Sequence, residues 1–303
     1  MKVFKLFAYA FIYGVVLATM INDYPPIDFY GYATIAVCVG GAVLLTLLSL
    51  TRAAYWVELE NVYIVGGWVS LALFLYLLLH VVEAGEELYT FFIVAAACLV
   101  GLLNLDRPQY VLMQHEPTSS VAFARGIIWG ILSFAIANLI GMIFLGTEEM
   151  VKGSILTQLF VGPITSQLQE WVDVGLAFLL MLFIVAVPEE IMARVFYLRM
   201  GSAVTDVFSA SLLTLVSGYA MHAYTRYDLE LGTLVLLILT VVWLMLSIAY
   251  MRHGLLASVA AHATYNTLVT AAIYGWGYLI GTVLVMIIVA YTVLGVKKQL
   301  VVF

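Results

Sequence analysis

The sequence predicts an all-α fold, a polytopic integral membrane helical bundle of about ten transmembrane helices, with both termini on the cytoplasmic side. Three observations predict it. Apolar stretches long enough to cross a bilayer recur along the chain, separated by short polar breaks. Charged residues make up 10% of the 303 residues, against about 25% in soluble domains. The basic residues, finally, gather on alternate loops.

Spans of about 17–25 residues are expected near 3–21, 29–50, 62–82, 88–105, 121–145, 174–200, 206–224, 232–250, 255–273 and 277–296. Lys2 and Lys5 precede the first, as in a signal peptide, but Ala18-Thr19-Met20 before Ile21-Asn22-Asp23 is a poor cleavage site. That span is expected to stay. The second and fourth contain Cys38 and Cys98, read as buried, inert thiols. His80, in the third, reads as a hydrogen-bonded packing residue, and Glu83, Glu86 and Glu87 as a solvated loop face. The fifth carries Gly126-Ile127-Ile128-Trp129-Gly130, a small-xxx-small packing pattern. The longest break, 146–173, includes Gly162-Pro163 and suits a short interfacial or re-entrant piece. Tyr24, Trp56, Trp171 and Trp276, near span ends, read as interfacial anchors.

Orientation follows from charge. Lys2, Lys5, Arg52, Arg107, Arg125, Arg194, Arg199, Arg252, Lys297 and Lys298 fall on or near one side, ten of the 12 basic residues. Only Lys152 and Arg226 fall on the other, so the positive-inside rule sets both termini in the cytoplasm. A net charge of −6 offers no basic patch for a nucleic acid. The lipid bilayer is the expected surround.

The sixth span holds Glu189, Glu190 and Arg194 inside an apolar run. Each ionised group at a span centre costs roughly 2.5–3.5 kcal/mol on insertion scales, so they are expected to face polar partners or a wet cavity. Glu190 and Arg194 are i and i+4, able to pair on one helix face. Glu189 is turned about 100° from Glu190, free to point elsewhere. His222 follows in the next span, and His262 and Asn266 form a second i,i+4 pair two spans later. Each feature by itself has a plainer reading: a structural bridge, a packing histidine, interhelical hydrogen bonding. Together they offer a carboxylate and imidazole to activate water, and donors for an oxyanion. At 1.5 Å per residue, Glu189 lies ~18 Å from Gly201, Asn266 ~18 Å and His262 ~12 Å from Gly254, and His222 ~25 Å from Thr205. Tilt, or a kink at Gly218, would be needed to bring them level.

The order EExxxR (Glu189 to Arg194), a histidine (His222) and HxxxN (His262 to Asn266) resembles the CPBP intramembrane proteases. That group comprises the type II CAAX prenyl endopeptidases and bacteriocin-processing proteins. The resemblance covers roughly 174–270. It implies that Glu189 and His222 activate a water, that His262 and Asn266 donate to the oxyanion, and that Glu190 and Arg194 support the first carboxylate. It also divides the chain into N-terminal helices, 1–173, and a catalytic-type core, 174–303. Two positions depart from the pattern: Gly218 replaces an aromatic residue four before the histidine, and Val195 follows the arginine where glycine is common.

The function so implied is endoproteolysis, within the membrane, of a membrane protein or lipidated peptide, with the cell membrane as the expected location. A non-catalytic immunity or scaffolding protein of the same fold, motivated by Gly218, is the alternative. A proton-coupled transporter is a further one, since buried Glu, Arg and His also mark ion pathways. No cofactor is expected. Glu189, His222 and His262 would nevertheless be a competent zinc set. HExxH does not occur, since Ser119 stands where His115-Glu116 would need its second histidine.

Overall fold

The computed structural model of the chain describes residues 29–51, 62, 64–68, 71, 88–106, 118–145, 171–223 and 232–300. The expected span 3–21, most of 62–82 and the break with Gly162-Pro163 lie outside these residues, as do Tyr24 and Trp56. Every regular element among the described residues is helical. Five of these helices are long and apolar enough to cross a membrane: Phe29–Leu50, Ser119–Phe144, Val174–Val204, Thr233–His253 and Trp276–Gly295. Each matches an expected span.

The longer elements are α1 (Phe29–Leu50), α2 (Leu88–Leu103), α3 (Ser119–Leu145), α4 (171–204), α5 (Val207–Ala223), α6 (Gly232–His253), α7 (Leu255–Tyr274) and α8 (Trp276–Leu300). They sort into two compact units, 1–113 with 188–227, and 114–187 with 228–303.

In the first unit, α5 packs against α1 and against the C-terminal half of α4, and α2 against that same half. Asp206 starts α5. Its carboxylate accepts the Ser209 backbone N–H (2.8 Å) and the Ser209 hydroxyl (2.6 Å), satisfying donors that a helix N-terminus leaves open.

In the second unit, α7 is the central helix, flanked by α3, α6, α8 and the N-terminal half of α4. Every residue of α7 from 257 to 271 is buried. This 20-residue helix is not one of the five apolar spans. His262, Tyr265, Asn266 and its threonines lower its hydropathy, and neighbouring helices rather than lipid receive them. Two glycines make the turns at its ends: Gly254 (φ 88°) and Gly275 (φ 109°) occupy backbone conformations that strain any L side chain.

The fifth predicted span, α3, approaches α7 closely because Gly126 and Gly130 lack side chains. A Cβ at Gly126 would sit 2.7 Å from the Ala260 Cβ, and one at Gly130 2.5 Å from the Thr264 Cβ. The Gly126-xxx-Gly130 pattern is thus a seam against Ala257, Ala260, Ala261 and Thr264. Apolar side chains finish the contact, with Ala124 and Ile127 of α3 meeting Leu268 of α7 and Met286 and Ala290 of α8.

Candidate active site

The expected residues divide between the units. Glu189, Glu190, Arg194 and His222 belong to the first, His262 and Asn266 to the second.

α4 changes its winding around the acidic pair. Trp171–Leu180 is α-helical, Met181–Ala186 is π-helical, Val187–Glu190 is again α-helical, and Ile191–Met200 is π-helical. Pro188 explains the first change. Proline has no N–H for the i→i−4 ladder, and its ring crowds the carbonyl four residues back. The preceding turn widens instead, and the Val187 N–H reaches back to the Leu182 carbonyl.

Arg194 Nε lies 3.2 Å from Glu190 Oε2, and both side chains are wholly buried. The i,i+4 pairing expected from sequence is therefore formed. Glu189 is half-buried as a whole, with its Oε2 itself covered, so the two adjacent glutamates differ in burial. One is committed to a guanidinium. Across from this segment, the Thr214 hydroxyl of α5 donates to the Ala193 carbonyl at 3.4 Å and to its own Ala210 carbonyl at 2.8 Å. α5 is thereby tied to the backbone one residue before Arg194. His222 lies two turns beyond Thr214 on α5, and its side chain is outside the described residues.

Arg199, read from sequence only as a basic residue near the cytoplasmic face, is also wholly buried. In an α-helix residue i+5 lies well away from residue i, whereas i→i+5 winding brings it round toward the same side. The second π segment therefore turns Arg199 toward the face of Arg194. No local pattern in the sequence announced this; only Pro188 hinted that α4 would leave the α ladder.

In the second unit, His262 and Asn266 lie one turn apart on α7, 5% and 3% exposed. Trp243 of α6 meets His262 with ring centroids 6.1 Å apart and planes at 75°. Tyr265, between the two site residues in sequence, packs edge-on against Phe134 of α3 at 6.4 Å. Another histidine of this unit, His253 at the end of α6, lies with Nδ1 3.2 Å from Arg125 Nη1 of α3 and with Trp129 at 6.5 Å. Neither Trp243 nor the Arg125–His253 contact was singled out in the sequence. Nothing near Trp243 in the sequence marks it as facing His262.

Among the described side chains, no three His, Cys, Asp or Glu stand close enough to share a metal ion. The zinc set of Glu189, His222 and His262 includes one side chain outside them.

Residues 171–268 match the family model of the type II CAAX prenyl endopeptidase Rce1-like proteins. No curated protein and no solved structure matches the chain. The matched stretch opens at the start of α4 and closes on α7 just past Asn266, close to the 174–270 that the motifs marked out. The chain has the helices of a membrane protein, and over residues 171–268 it is similar to the Rce1-like domain of the type II CAAX prenyl endopeptidases.

Proposed function

We propose that this protein is an intramembrane endopeptidase acting on membrane-associated substrates of the prenylated CAAX type, located in the cell membrane. The family match carries the reading, because the 98 residues from 171 to 268 hold every residue of the EExxxR, His222 and HxxxN set. Exposed apolar side chains on α4, among them Phe183 and Ile184, suit a lipid setting, where a lipidated peptide is concentrated.

The reaction divides among the residues by their chemistry. Glu189, assisted by His222, takes a proton from water as the water oxygen bonds to the peptide carbonyl carbon. The carbonyl oxygen becomes an oxyanion, to which the His262 ring and the Asn266 amide donate. Collapse of this intermediate breaks the C–N bond, and the proton held by Glu189 passes to the leaving amine, restoring the carboxylate. Glu190, paired with Arg194, serves to hold α4. The proposed mechanism uses no metal.

The test is cleavage of a farnesylated CAAX-type peptide by the purified protein in detergent. Wild type is expected to cleave, Glu189→Ala to fold normally and not cleave, and a chelator to leave the rate unchanged. Full activity in Glu189→Ala overturns the assignment of the base. Loss of activity on chelation, restored by zinc, overturns the metal-free mechanism.

A further inference from the structure

We infer that Trp243 is a positioning residue for His262, fixing the plane in which the imidazole is presented to the reaction. The inference rests on the reading above and adds to it a residue outside the EExxxR, histidine and HxxxN motifs.

A histidine ring on a helix is not aimed by its own torsions. χ2 of His joins sp³ to sp² carbon, and its distribution is broad and roughly two-fold. A quarter-turn about it swings the ring plane, and the N–H with it, off the line to a given acceptor. A residue that must present an N–H to an oxyanion therefore needs a neighbour that makes one orientation the better packed.

Trp243 meets that need. Its ring stands nearly perpendicular to that of His262, at 75° and 6.1 Å between centroids, within the range of favourable edge-to-face pairs. Rotating the imidazole in place would press its edge into the indole or open a gap beside it. The indole is itself buried, being 3% exposed. The register of the two helices is set one turn nearer their connection, where the Ser258 hydroxyl of α7 donates to the Leu246 carbonyl of α6 at 3.0 Å. Leu246 with Ser258 and Trp243 with His262 step in opposite directions from Gly254, so α6 and α7 pack antiparallel. The histidine is reached by a rigid aromatic wall on a pinned helix.

The experiment compares Trp243→Leu, which keeps apolar bulk without a ring, with Trp243→Phe, which keeps an aromatic face. Both are made in the full chain with isotope-labelled histidine. Two readouts are taken in detergent micelles: the His262 imidazole NMR signals across pH, assigned with His262→Gln, and kcat and KM on the farnesylated peptide. Trp243→Leu is expected to shift or broaden the His262 ring signals and to lower kcat by about 10²-fold, the scale of a small misplacement of a reacting group, with KM little changed. Trp243→Phe is expected to restore both toward wild type. Wild-type His262 signals and kcat in Trp243→Leu would overturn the inference. Equal losses in the Leu and Phe variants, following a common fall in thermal midpoint, would overturn it too. If wild type does not cleave, the protease reading fails, and the imidazole signals still decide whether Trp243 orients His262.

Discussion

Arg194 and Glu190 stand one turn apart on α4, 3.2 Å between Nε and Oε2, with neither side chain exposed. A buried ion pair of this kind adds little net stability, because two charges must leave water. Removing one partner strands the other and costs about 3–5 kcal/mol. Arg194→Met alone is expected to lower the thermal midpoint in detergent sharply. The double variant Glu190→Leu/Arg194→Met is expected to recover most of the loss. A double variant as unstable as the single would show that the guanidinium does more than neutralise Glu190.

Gly126 and Gly130 make a second, steric prediction. A methyl group at Gly130 would lie 2.5 Å from the Thr264 Cβ, so α3 must move off α7. Overpacking of this sort costs roughly 1–3 kcal/mol. Gly130→Ala is expected to destabilise the protein and disturb Asn266, half a turn beyond Thr264. Gly175→Ala on α4 is the control, with nothing within 4 Å of the added carbon. It is expected to be neutral or slightly stabilising, since glycine inside a helix costs roughly 0.5–1 kcal/mol relative to alanine. Thermal midpoints of the two variants separate close packing from helix propensity.

The Asp206 cap carries a pH dependence. Hydrogen bonds from the Ser209 side chain and backbone hold its carboxyl below the ordinary aspartate pKa. A depressed folded-state pKa stabilises the fold above the unfolded value, roughly 4, and that contribution fades as pH falls through the folded pKa. Asp206→Ala is expected to cost about 1 kcal/mol at neutral pH. The gap between wild type and variant in midpoint against pH should close in acid; a gap constant down to low pH would discount the cap.

Asn266 bears on the proposed chemistry. Losing one oxyanion donor costs about 10²–10³ in kcat in acyl transfer. Asn266→Ala is expected to show a loss of that order, with KM far less affected and His262 NMR signals still present. An equal effect on KM alone would make Asn266 a substrate contact.

How far the sequence could be read depended on whether the relevant contact was local. The Glu190–Arg194 pair was legible because i,i+4 neighbours stay on one face whether the turn between them winds as α or as π. The Gly126-xxx-Gly130 seam was half legible, since the spacing marks a packing face but not the helix that fills it. The burial of Arg199 was not legible, because the π winding after Pro188 changes which side it turns toward. Trp243 was passed over because nothing in its own neighbourhood names a partner on the next helix.

The apolar run lengths and sparse charge determined by themselves that this is a helical membrane protein, since bilayer thickness and hydrogen-bond demand act on each segment separately, and the motif order carried the resemblance of one stretch to the CPBP proteases. Only the tertiary structure decided that α7 is enclosed by other helices instead of lipid, that α3 closes on it through two glycines, and that an indole on α6 walls His262. Those outcomes depend on the rotation and depth of one helix against another. Helix rotation and depth are set by the packing of many side chains at once, which no single segment encodes.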